Sequence, residues 1–104
     1  MGRIPIIAGN WKMNMDHLQA VALVEKLATE LDDRRFDYAL TEVVVIPPYT
    51  DLRSVQTVIN ADNLEIKLGA QDVAVYESGA YTGEISATML EKLDVSYVVV
   101  GHSE

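Results

Sequence analysis

The chain has 104 residues, of which 49% are apolar and 23% charged, a balance that suits one small folded domain and excludes a disordered polymer. Eight basic against sixteen acidic side chains leave a formal net charge of −8, with no cationic cluster longer than Arg34-Arg35, which argues against a nucleic-acid partner or an anionic membrane surface. There is no cysteine, so disulfides, thiolate metal sites and thiol catalysis are excluded together.

From the amino terminus, Ile4 to Ala8 reads as a first strand. The segment MGRIPIIAGN is no secretory signal, because Pro5 breaks its apolar part and Gly9-Asn10-Trp11-Lys12 follows without a cleavage-like site. Ile6 stands where myristoylation of Gly2 calls for Ser or Thr. No apolar stretch approaches the ~20 residues that span a bilayer, so the chain is expected to be soluble and cytoplasmic.

A helix follows, with Leu18, Val21, Val24, Leu27 and Leu31 recurring at helical spacing and Asp16 as its N-cap. Asp32-Asp33 and Arg34-Arg35 read as a solvated turn. The second strand, Val43 to Ile46, is stopped by Pro47-Pro48. A second helix, about Asp51 to Asn60, repeats Leu52, Val55 and Ile59 under a Thr50 or Asp51 cap. The third strand spans Leu64 to Ala70. The third helix, about Ser86 to Leu93, offers Met89, Leu90 and Leu93 to the core and ends at Asp94, where a left-handed glycine is the easier choice. Val95 to Val100 is the fourth strand.

These elements alternate as β-α-β-α-β-α-β, and the strands carry little polar alternation, as in a parallel sheet covered on both faces. The connection from Gln71 to Ile85, QDVAVYESGAYTGEI, is long and carries two glycines and two tyrosines. Long ordered loops in compact domains are usually functional.

Chemistry-bearing residues gather after the strands. Asn10 and Lys12 lie two apart beyond the first strand, so persistent extended geometry turns both to one side. At the other end, Val98, Val100, His102 and Glu104 share one parity, apolar first and polar last. Parallel α/β sheets bind ligands outside the carboxyl ends of their strands, where all four polar residues lie. The plainer readings are solvated residues at a strand end and a histidine capping a strand beside a carboxylate. Net charge does not exclude an anionic small ligand, since one lysine and a few backbone amides bind a phosphate inside an acidic protein. His17 reads as a surface residue and Trp11 as packing. No glycine-rich phosphate loop is present, and nothing has the spacing of a metal site.

Taken together and in order, AGNWKMN, QDV, SGAYTGEIS and YVVVGHSE resemble the triosephosphate isomerase family over the whole chain. That resemblance implies the first half of a TIM (β/α)₈ barrel, with residues 1–104 as the N-terminal part of a single domain whose remainder is absent from this chain. It implies interconversion of dihydroxyacetone phosphate and glyceraldehyde 3-phosphate through an enediolate, a step of glycolysis and gluconeogenesis, without metal or organic cofactor. Asn10 and Lys12 would hold the triose phosphate substrate, Lys12 also balancing charge on the phosphate and the enediolate. His102 would be the electrophile, a role for which the family uses a neutral imidazole. Glu104 would orient the site and pair near Lys12. The YESGAYTG loop resembles one that reaches into a partner subunit, which implies a homodimer with Thr82 touching the partner's site.

A complete barrel needs ~250 residues and eight strands. The family's base glutamate, closing loop and main phosphate-binding amides therefore fall beyond Glu104, and the 104-residue chain alone is expected to be inactive and poorly behaved. Two alternatives stand beside this reading. One is a non-catalytic half-barrel serving as an anion-binding assembly module. The other is a different barrel isomerase with the same aldose-ketose chemistry, which would not require the AGNWK and GHSE motifs together.

Overall fold

The computed structural model describes residues 2–103. Its elements are β1 (Ile6–Asn10), α1 (His17–Asp33), β2 (Glu42–Ile46), α2 (Tyr49–Ala61), β3 (Lys67–Ala70), α3 (Ala87–Lys92) and β4 (Val95–Val98). All four strands are parallel and lie in the order β1-β2-β3-β4, the alternating arrangement of the first half of a TIM barrel.

Both faces of β2 are buried, which accounts for its run of valines. Val43 and Val45 pack with Val24 of α1, Leu52 and Val55 of α2, and Ile66, Leu68 and Leu90. On the opposite face Val44 and Ile46 crowd Gly69, where an added Cβ would meet Ile46 Cγ1 at 2.9 Å and Val44 Cγ1 at 3.2 Å. β1 and β4 form the sheet edges, and Ile6, Ile7 and Val98 on them are exposed. A sheet that stops at two apolar edges is a template for further pairing.

Asp16 caps α1 as expected. Its carboxylate accepts from Gln19 N–H at 2.8 Å while Gln19 Oε1 accepts from Asp16 N–H at 3.0 Å, a complete capping box. Several boundaries differ from the expectation. β1 begins at Ile6 and runs to Asn10, because pairing starts where Glu42 N–H donates to Pro5 O (2.9 Å) and continues to Asn10 opposite Ile46. β3 begins only at Lys67, since Leu64 N–H closes the end of α2 on Ile59 O (2.9 Å) after Asn63 turns left-handed. β4 ends at Val98, with one further bond from Val99 N–H to Ala70 O.

Helix α2 starts earlier than its expected cap. Pro48 occupies the N-cap position without a side-chain bond, and Thr50 and Asp51 lie inside the first turn. Asp51 is fully buried, and its Oδ2 has no hydrogen-bond partner. A carboxylate three positions past a cap normally reaches back to the cap's N–H, and proline has none. In α3, Ser86 caps Met89 N–H at 3.2 Å and Leu90 is buried, but Met89 is exposed, which corrects its expected place in the core. The six residues of α3 make fewer than two turns, so Leu90 and the partly buried Leu93 share its inner face and Met89 falls outside it.

Asp94 takes the left-handed turn itself, at φ 59°. Gln56 Nε2 donates to Asp94 Oδ2 at 2.9 Å, and Gln56 Oε1 accepts from Arg53 at 2.7 Å. A side-chain acceptor thus stands where glycine would offer only freedom. In the full-length protein, Asp94→Ala is expected to cost about 2 kcal/mol, because buried Gln56 loses its acceptor while a Cβ stays at positive φ. Asp94→Gly loses only the bond and should cost about 1 kcal/mol less than alanine. Urea unfolding of the three proteins checks this order, and equal stability of the two variants would contradict it.

Candidate active site

The chain at the carboxyl ends of β1, β3 and β4 converges on one cleft. Asn10 ends β1, and Trp11 N–H carries the ladder one step further by donating to Ile46 O at 3.0 Å. There the extended geometry stops. Lys12 is left-handed at φ 56° and Met15 at φ 75°, so strand parity does not align Asn10 with Lys12 as expected. They are brought together by a turn: Lys12 N–H donates to Asn10 Oδ1 at 2.9 Å, and Asn14 Nδ2 donates to Trp11 O at 2.7 Å. A lysine held at positive φ costs on the order of 1–3 kcal/mol, and such residues persist where surrounding bonds over-determine them.

Much of that determination comes from Gln71, the first residue past β3. Its Nε2 lies 2.7 Å from Lys12 O, 3.2 Å from Ile46 O and 3.3 Å from Asn10 Oδ1. One amide nitrogen with two hydrogens therefore serves three acceptors on the ends of β1 and β2 and the turn beyond. Within QDV the sequence offers one signal for this role, a polar residue in the first position after the largely buried strand β3.

With its Oδ1 facing two N–H groups, Asn10 turns Nδ2 toward His102 Nε2, 3.4 Å away. His102 lies past the end of β4, after a left-handed Gly101 at φ 67°. The parity expected to run through Val98, Val100 and His102 is therefore broken before it reaches the histidine. Asn10, Lys12, Met13, Gln71 and His102 together line a cleft of about 280 Å³.

Of the other residues named from sequence, Glu104 lies outside the described residues. Thr82 is exposed on the long connection between β3 and α3 and does not line the cleft. His17 is exposed at the start of α1, and Trp11 packs against the core. Among the described residues no group of three His, Asp or Glu side chains is placed to hold a metal ion, and no helix is long and apolar enough to cross a membrane.

A larger hollow of about 410 Å³ opens at the amino ends of the strands. Three of its four charged side chains have polar partners beside it. Glu42 Oε1 pairs with Lys67 Nζ at 3.7 Å, Tyr97 donates to Glu42 Oε2, and Asp94 holds Gln56. The bond to Glu42, followed by burial, raises the Tyr97 pKa and keeps that hydroxyl a donor. This end carries structural polar pairs. The opposite cleft gathers an ammonium, two amides and an imidazole, which suits an anionic oxygen-rich ligand.

Comparison with known proteins identifies the family. A family profile described as triosephosphate isomerase matches residues 5–104. Triosephosphate isomerase of Streptomyces avermitilis is 63% identical over 102 residues, covering 98% of this chain and 39% of the relative. That of Saccharopolyspora erythraea is 64% identical over 104 residues, covering 100% and 39%. For Leifsonia xyli subsp. xyli the figures are 59% identity, 100% and 40%. The chain thus spans about two-fifths of the length of the curated relatives it matches. Sequential parallel strands, a polar cleft at their carboxyl ends and a match over nearly every residue lead to one assignment: this chain belongs to the triosephosphate isomerase family.

Proposed function

We propose that the full-length protein interconverts dihydroxyacetone phosphate and glyceraldehyde 3-phosphate through an enediolate, and that residues 1–104 supply the electrophilic half of its site. The observation that carries the reading is the convergence of Asn10, Lys12 and His102 on one cleft, with Asn10 Nδ2 at 3.4 Å from His102 Nε2. Lys12 binds the phosphate and offsets the negative charge that grows on the substrate oxygens. Asn10 fixes the substrate beside it. Neutral His102 donates to the carbonyl oxygen and passes a proton between the two substrate oxygens, avoiding an imidazolium intermediate. Glu104 orients Lys12, and the carbon-bound proton is taken by a glutamate in the portion of the barrel that follows.

The protein works as a cytoplasmic homodimer in this reading, with Thr82 reaching the partner's site from the loop after β3. Supporting that placement, the loop is exposed at Thr82 and is shaped by left-handed Gly79 and Gly83 and by Tyr76 stacked on Tyr81 at 4.1 Å.

A coupled isomerase assay on glyceraldehyde 3-phosphate, run on the 104-residue chain beside the product of the complete reading frame, tests the assignment. Activity in the longer product alone is expected. Comparable turnover by the short chain would place the base within these residues and overturn the division of roles. Phosphate binding without turnover by both would favour the anion-binding module instead.

A further inference from the structure

Gln71 is held from both sides along the backbone. On its amino side, Val99 N–H donates to Ala70 O at 3.0 Å, tying the end of β3 to the segment after β4. On its carboxyl side, the hydroxyl of Tyr49 donates to the carbonyl oxygen of Asp72, the residue that follows Gln71. Tyr49 is the first residue of α2 and its ring packs against the core. The phenol is thus anchored in the helix layer while its oxygen fixes the peptide next to the Gln71 side chain.

That side chain has little tolerance. Its amide divides two hydrogens among acceptors at 2.7, 3.2 and 3.3 Å, the last two already near the outer limit for N–H donation. A small displacement of Gln71 would release Ile46 O or Asn10 Oδ1 first. Asn10 would then lose one of the two donors that turn its Nδ2 toward His102.

We propose that Tyr49 is a positioning residue for the substrate cleft, acting through Asp72 and Gln71 on the Lys12 turn and on Asn10. The inference rests on the isomerase reading of that cleft. Tyr49 remains a donor throughout the working range of pH: burial first, then the carboxylates of Asp72 and Glu84, push its pKa up to about 12. Phenylalanine at this position keeps the ring in the core and removes only the hydroxyl, so packing and positioning separate in one substitution.

The test is a double-mutant cycle in the full-length protein with Tyr49→Phe, Gln71→Ala and the pair, read as kcat and KM for glyceraldehyde 3-phosphate. Tyr49→Phe alone should lower kcat about fivefold with KM nearly unchanged. In the Gln71→Ala background the same change should cost less than about 1.5-fold, because the group through which Tyr49 acts is already gone. An equal loss in both backgrounds, or none in either, overturns the proposal. If the parent protein does not isomerise the substrate, the isomerase reading fails on its own. Tyr49 is then judged by calorimetric affinity for inorganic phosphate: weakening by Tyr49→Phe only when Gln71 is present supports it, and unchanged or equally weakened affinity overturns it.

Discussion

Replacing Lys12 by methionine in the full-length protein is expected to lower kcat/KM for glyceraldehyde 3-phosphate by about a thousandfold. Among the described residues that line the cleft, Lys12 carries the only ammonium or guanidinium group. The chain around it has a formal net charge of −8, so a doubly charged phosphate ester approaches a repulsive field that this group locally reverses. In the proposed reaction the same charge faces the enediolate, where negative charge would grow, so its removal is expected to weaken the transition state more than the ground state. Methionine matches the length of the lysine stem and adds no new hydrogen bond. Both KM and kcat should suffer, KM from lost phosphate binding and kcat from the unbalanced enediolate. Lys12→Arg retains the charge but presents a planar fork from a turn built for a point charge, and should recover only part of the loss. Steady-state kinetics of the three proteins settle the matter. A loss below about tenfold in Lys12→Met would mean that later parts of the chain carry the phosphate alone.

His102→Gln is expected to reduce kcat by a factor of about 10² to 10³ while KM changes little. Glutamine can donate a hydrogen bond to the substrate carbonyl, so binding survives. It cannot release and recover a proton between two substrate oxygens, so the transfer step is slowed. The contact from Asn10 Nδ2 to Nε2 at 3.4 Å sets the imidazole beside the amide that the proposed mechanism assigns to substrate orientation, the position that mechanism requires of a shuttle between adjacent oxygens. His17→Gln serves as the control, since His17 is exposed at the first position of α1 and should leave both constants within about twofold of the parent. A His102 variant that raises KM and spares kcat would identify the ring as a binding group instead.

Strand and helix order were readable because hydrophobic period and caps are local signals. Asp16 with the apolar period behind it announces α1 within a few residues, and the valines of β2 announce a strand buried on both faces. Boundaries were less legible, since pairing with a neighbour decides where a strand stops. β1 reaches Asn10 because Ile46 lies opposite it, and β3 waits until Lys67 because Leu64 is still closing α2. Met89 misled for a related reason: an apolar residue on a helix of six positions has no second turn to mark the buried side.

The sequence by itself determined the order of elements, the family and the polar residues gathered after the strands, because each depends on residue type at fixed spacing. Tertiary structure alone decided how those residues meet. Lys12 turns left-handed, Gln71 spans 59 residues to Lys12 and 61 to Asn10, Asp94 accepts from Gln56 across 38, and Asn10 meets His102 across 92. No local pattern encodes such pairs, because they form only when separate strands are brought into register and their freed amides compete for the same few acceptors.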